Sequence, residues 1–308
     1  MRVARYIVMA ALAVPIGLVG CIYLAPVRAT GWALDYERDH AGLTRKTVTL
    51  ADGHTMVYLE GGSGDPLLLI HGFGADKDNF TRAARYLTPR FRVIIPDLIG
   101  FGESDRPADA DYAPIAQAER LRTFVAALGA TPLHIGGNSM GGQIALTYAA
   151  RHPAEVKSLW LLAPAGVWTA PASDVRRTIE TTGSNPLLVR SEREFADLVP
   201  IVMEDPPFLP RPMLNVLARS RIANADLEER IFQQIAVDSI EGRVAGLMTP
   251  ALIVWGDKDR ALHVGSGEIL RALMPNAKLI IMPGIGHVPM LERPKESAAE
   301  YLRFLAPD

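Results

Sequence analysis

From Leu67 onward, short runs of consecutive apolar residues alternate with stretches of helical period, and no other feature limits the available folds as much. Leu67-Leu68-Leu69-Ile70 turns no polar side chain toward water, as a strand buried on both faces requires. Phe80, Ala83, Ala84 and Leu87 follow at i, i+3, i+4 and i+7, the spacing of one helix face. A strand at 91–95, a helix around Leu121, Val125 and Leu128, a strand at 133–136, a helix at 141–151 and a strand at 156–162 continue the pattern. Repeated strand–helix–strand units predict a mostly parallel sheet with helices on both faces. Ahead of them, Thr47–Leu50 and Met56–Leu59 flank an Asp52-Gly53 turn, the signature of a hairpin. The expected sheet has eight strands.

The alternation stops near Gly166. Helical faces take its place, with Phe195, Leu198, Val199 and Val202 on one and Leu227, Ile231 and Ile235 on another. Strands return at 252–255 and 278–282, with a helix between them at 267–274. A last helix puts Leu291, Ala298, Leu302 and Leu305 on one face. The expected organisation is an N-terminal segment 1–30, an α/β core formed by 31–165 and 247–308, and a helical cap inserted at 166–246. Such a cap lies over the carboxyl ends of the strands, where open α/β sheets place their ligands. Beyond the N-terminal segment 278 of the 308 residues remain, enough for one large core.

Tyr6 to Val27 carry no charged side chain, about 22 residues or roughly 33 Å as a helix, against a hydrocarbon core of about 30 Å. Arg2 and Arg5 precede the run, so its amino end is expected on the cytoplasmic side and the remainder of the chain outside. Retention as a signal anchor is one reading. A lipoprotein signal is another, because Leu18-Val19-Gly20-Cys21 has the form of a lipobox with Cys21 as the acylated residue. Ordinary cleavage is the third. The single cysteine excludes an intrachain disulfide, and a net charge of −2 speaks against a nucleic-acid partner.

Gly137-Asn138-Ser139-Met140-Gly141 fits G-x-S-x-G and stands between an apolar strand and an alanine-rich helix. That context is a strand–turn–helix elbow, whose turn is too sharp for side chains at the glycine positions. A serine hydroxyl needs an adjacent base to act as a nucleophile. His287, in the loop Gly284 to Pro289 between the last strand and the last helix, is best placed among the seven histidines. Asp257 and Asp259 both follow the strand ending at Trp255, and Asp259 is the favoured orienting acid. The order Ser139, Asp259, His287 suits this elbow. The backbone N–H groups of Phe73, after the first buried strand, and of Met140, after the serine, are the candidate oxyanion donors. His71 reads as a structural hydrogen-bonding residue of that loop. Asp257, Asp259 and His263 could be imagined as metal ligands, but the triad already accounts for Asp259, so no metal is expected. In the cap, Phe195, Leu198, Val199, Val202, Phe208 and Leu209 are candidates for an apolar substrate pocket or for cap packing.

His71-Gly72-Phe73-Gly74, Asp97 to Ser104, Gly137 to Gly142, Trp255 to Asp259 and Gly286 to Pro294 together resemble the α/β-hydrolase superfamily, over residues 45–306. Asn138 to Gln143, Ala163 to Gly166 and the apolar N-terminal run are similar to the membrane-anchored monoacylglycerol lipases and related bacterial lipases and phospholipases A. The resemblance implies cleavage of acyl esters from glycerol-based lipids without a cofactor. It also implies a bacterial inner-membrane location, with the catalytic part in the periplasm. It carries the catalytic roles onto Ser139, Asp259 and His287 and the oxyanion donors onto Phe73 and Met140. The expected partners are a lipid or amphiphilic ester and the bilayer, with a homodimer if the anchor packs on a second protomer. A general carboxylesterase, a carbon–carbon hydrolase of ring-fission products and a lipid sensor without turnover are the other readings. Ser139 speaks against relatives that place an aspartate at the nucleophile.

Overall fold

The computed structural model describes residues 20–306. Eight strands form one sheet: β1 (Leu43–Thr49), β2 (Thr55–Gly61), β3 (Asp65–Ile70), β4 (Phe91–Pro96), β5 (Leu133–Asn138), β6 (Val156–Leu162), β7 (Ala251–Gly256) and β8 (Ala277–Met282). Their spatial order is β1-β2-β4-β3-β5-β6-β7-β8. β1 pairs antiparallel with β2, and β2 with β4; the remaining pairs are parallel. The hairpin is longer than the sequence pattern indicates, running from Leu43 opposite Gly61 to Thr49 opposite Thr55. Backbone pairing extends it past the apolar residues that signal it.

Alternation along the strands separates two cores. Leu159 and Leu161 of β6, with Ile253 and Trp255 of β7, enter one apolar cluster; Trp160, Leu162, Leu252 and Val254 enter the other on the opposite face. This two-sided burial is why these strands read as unbroken apolar runs.

Helices α1 (Pro26–His40), α2 (Thr81–Ala84), α3 (Pro114–Ala127) and α4 (Met140–Arg151) precede β6 or flank the sheet's first half. Between β6 and β7 the chain forms α5 (Asp174–Thr182), α6 (Glu192–Val202), α7 (Arg211–Ala223), α8 (Ala225–Ala236) and α9 (Glu241–Val244). α10 (Gly265–Leu273), α11 (Pro289–Glu292) and α12 (Pro294–Phe304) complete the chain. Two predicted helices are divided or shortened. The last one breaks at Arg293, which precedes Pro294 and sits at φ −136°, ψ 63°, outside the helical region. The one predicted over Phe80 to Leu87 is a short 3₁₀ turn, Lys77–Phe80, followed by α2, and it gives way to turns before Pro89.

The end of the charge-free run differs from the expectation. Among the described residues no helix is long and apolar enough to cross a membrane. Most of the charge-free run, residues 6–19, lies outside the described residues. Pro26 and Val27, counted as the end of that run, open α1 instead. Proline suits this first-turn position because its missing N–H would be unpaired there in any case. α1 packs against α7, so residues 26–30 belong to the folded body.

The strand order places the site. The chain steps from β3 to β4 on one side, then crosses back to β5 on the other. The carboxyl ends of β3 and β5 therefore flank a switch point, the place where such sheets open a crevice.

Candidate active site

Ser139 stands between β5 and α4 with φ 55° and ψ −121°, a strained conformation for a residue with a side chain. The glycines around it are required by contact. A Cβ at Gly137 would lie 2.3 Å from the carbonyl oxygen of Gly141, and one at Gly141 would lie 2.2 Å from that of Ile70. The turn is thus pressed against itself and against β3, which leaves the serine side chain at the crest, half-buried, facing a cavity.

The histidine and its acid meet across two loops. His287 Nδ1 lies 2.8 Å from Asp259 Oδ2, and both side chains are buried. The other oxygen of Asp259 accepts from the N–H groups of Ala261 (2.8 Å) and Leu262 (2.9 Å), so the carboxylate is held on both sides. Asp257 points elsewhere: its Oδ1 accepts from the N–H of Gly284 at 2.6 Å. His263 accepts from its own loop at Gly265 N. The main chain of His287 is gripped as well. Its N–H donates to Val202 O (2.9 Å), and its carbonyl accepts from Asn138 Nδ2 (3.0 Å). Ser139 and His287 line the same cavity; among the described residues neither Ser139 Oγ nor His287 Nε2 makes a hydrogen bond. Catalytic pairs are often looser than a hydrogen bond in the absence of substrate.

The loop after β3 lies against the serine. A Cβ at Gly72 would come 3.2 Å from Ser139 Cβ. The N–H groups of Phe73 and Met140 have no hydrogen-bond partner among the described residues, and both residues line the cavity. His71 shapes this loop. Its Nδ1 lies 2.8 Å from Gly72 O, and its Nε2 accepts from the N–H of Leu98 at 3.1 Å. The second bond needs the neutral ring, and burial pushes the histidine pKa down.

The cavity measures about 1030 Å³. Phe195, Leu198, Val199, Val202, Phe208 and Leu209 all line it; Phe208 is 92% exposed and stands at its rim. Two contributions were not anticipated. Thr30, Ala33, Leu34 and Glu37 of α1 form part of the wall. They are spaced i, i+3, i+4, i+7 on one helix face, but Thr30 and Glu37 are polar, so the face carries no apolar period in the sequence. Arg221 of α7 is buried with Glu228, to which its guanidinium bonds at 2.8 Å, and it sits against Gly74, 5.7 Å above the Phe73 ring. A lone arginine in the cap sequence carried no signal of this contact.

A switch-point crevice, a strained serine at its elbow and an aspartate-held histidine opposite it define the α/β-hydrolase class of architecture. The family model for the alpha/beta hydrolase fold matches residues 65–294, and the chain belongs to that family. It is 45% identical to Lipase 1 of Psychrobacter immobilis over 94% of this chain and 93% of that one. It is 28% identical to monoacylglycerol lipase ABHD6 of Homo sapiens, over 78% of this chain and 75% of the relative. A solved structure described as a membrane phospholipase A, a bacterial virulence factor, superposes with a TM-score of 0.88 at 42% identity, covering 98% of each chain. The chain is a carboxylic ester hydrolase.

Proposed function

We propose that Ser139, His287 and Asp259 hydrolyse acyl esters of glycerol-based lipids by two-step acyl transfer at a membrane surface. The observation that carries this is the Asp259–His287 pair opening onto the same cavity as the strained Ser139. His287 takes the serine proton as Oγ attacks the ester carbonyl. The developing oxyanion is held by the N–H groups of Phe73 and Met140. His287 then protonates the departing alcohol, and water repeats the sequence on the acyl-enzyme. Asp259 holds the ring tautomer and stabilises the imidazolium.

A lipid substrate is supported by the lipase and phospholipase relatives and by the apolar character of the cavity wall. Glycerophospholipids and acylglycerols are the substrate classes these relatives suggest. Membrane attachment through the charge-free run, with the catalytic part on the far side from the cytoplasm, is supported by the run itself. It is supported too by the apolar side chains that follow: Tyr23, Leu24, Val27, Trp32 and Tyr36 are exposed, as is Phe208 at the cavity rim. Exposed aromatics suit a membrane interface. The core is assigned to residues 31–165 and 247–308 with α1 added, and 166–246 to the cap.

Ser139→Ala tests the assignment. It should lose on the order of 10⁴- to 10⁶-fold in kcat on a p-nitrophenyl ester and fail to react with a fluorophosphonate, with an unchanged circular dichroism spectrum. A folded alanine variant that keeps a tenth of the activity would rule Ser139 out as the nucleophile.

A further inference from the structure

We infer that Glu292 is a positioning residue that ties the cap to His287; this rests on the reading of His287 as the catalytic base. Glu292 ends α11, five residues after the histidine, and it is buried. Its carboxylate serves two segments at once. Oε1 accepts from the N–H of Gly286 at 2.9 Å, directly before His287. Oε2 accepts from two consecutive N–H groups in the cap, Glu204 and Asp205, each at 2.8 Å. These follow Val202, whose carbonyl receives the N–H of His287. The two strips of backbone touch: a Cβ at Gly286 would lie 2.9 Å from Glu204 N and 3.0 Å from Met203 Cα.

The peptide that carries the imidazole is thus held from two directions. Asn138, beside the nucleophile, grips its carbonyl, while the end of α6 and the Glu292 bridge grip its N–H side. Val199, Val202 and Met203, at that same end of α6, line the cavity. A shift of this strip is passed to the base through backbone hydrogen bonds. Only an ionised carboxylate accepts all three N–H groups without offering a donor in return. The neighbouring ion pairs Arg293–Asp205 and Arg260–Glu204 are solvent-exposed and contribute little.

Two independent substitutions test the tie in the full-length enzyme. Glu292→Gln keeps the shape but turns an amide NH₂ toward N–H donors. Asp205→Pro deletes one donor from the cap side, and Asp205→Ala keeps that N–H while losing the bridge to Arg293. The readouts are KM and kcat on a soluble butyrate ester, with kcat expressed per site titrated by a fluorophosphonate. We expect Glu292→Gln and Asp205→Pro to lower kcat per site about 10- to 100-fold with KM within about 3-fold. Asp205→Ala should stay within about 2-fold of wild type. A purely structural joint would reduce the number of titrated sites and the Tm and leave kcat per site unchanged; that result overturns the inference. So does equality of Asp205→Pro and Asp205→Ala, which decides the matter if Glu292→Gln does not fold. His287→Ala serves as the reference. Activity surviving in it removes the catalytic reading itself, whereas loss of activity there with normal kcat in the other variants removes the coupling alone.

Discussion

Asp257 and Asp259 are two residues apart on one loop, and their contacts separate them. Asp259 meets His287 while Asp257 caps the N–H of Gly284. Asp259→Asn should cost about 10⁴-fold in kcat, because an amide can impose the wrong imidazole tautomer. Asp257→Asn keeps an acceptor for Gly284 and should change kcat by less than about 10-fold. Steady-state kinetics of the two variants side by side check this, and the reverse ranking would move the acid to Asp257. His71 makes a prediction about pH. Burial lowers its pKa in the folded state, and His134 is lowered by burial in the same way. The unfolded chain therefore binds more protons than the folded one as pH drops below the ordinary histidine value of 6.5. The stability contribution is fully present above 6.5 and is lost as pH falls toward the depressed folded values. The urea-midpoint advantage of wild type over His71→Gln should shrink between pH 7.5 and pH 5.5, a comparison that cancels the opposite contribution of buried Asp76, whose carboxyl is pushed up to about 7; an advantage that holds or grows over that interval would contradict the assignment.

Among the elements, the elbow and the loop after β3 depend on contacts that permit no side chain. A methyl at Gly141 would meet backbone at Ile70 and His71, where nothing flexible can yield. Gly141→Ala should lose about 1–3 kcal/mol of stability and, because it displaces Met140 N–H and Ser139 together, most of kcat. Gly129→Ala is the control. Gly129 has φ +58° with open space around it, so alanine there meets strain alone, about 1–2 kcal/mol. Its kcat should match wild type once folded protein is counted. Thermal melts paired with kinetics distinguish the two, and equal kcat losses would mean that close packing at the elbow is not what positions the serine.

At the scale of the molecule, α1 divides the proposed membrane attachment, which lies before it, from the cavity wall, to which it belongs. Deleting residues 1–24 leaves α1 whole. Hydrolysis of a soluble butyrate ester should then stay within a few-fold, while hydrolysis of long-chain lipids in vesicles should fall much further as local concentration at the bilayer is lost. Deleting residues 1–40 also removes the cavity wall formed by Thr30, Ala33, Leu34 and Glu37. Long-chain substrates should now suffer even in detergent micelles, where no bilayer is involved. If the shorter deletion processes vesicle lipids at the full-length rate, attachment does not present the substrate.

The sequence by itself determined the sheet and pointed to the residues of the proposed site. Strands buried on both faces must be apolar throughout, so β3 to β7 were legible as runs, and the elbow glycines were legible because the turn tolerates nothing larger. Local pattern reaches no further than a turn or a pair of strands. Which of Asp257 and Asp259 meets His287, the cradling of Gly74 by Arg221, the wall made by α1 and the bridge from Glu292 to the cap were decided by tertiary structure. Each of these joins segments dozens of residues apart or selects between near neighbours by direction. Such contacts leave no periodicity in the chain, because a single buried polar side chain is specified by what packs around it.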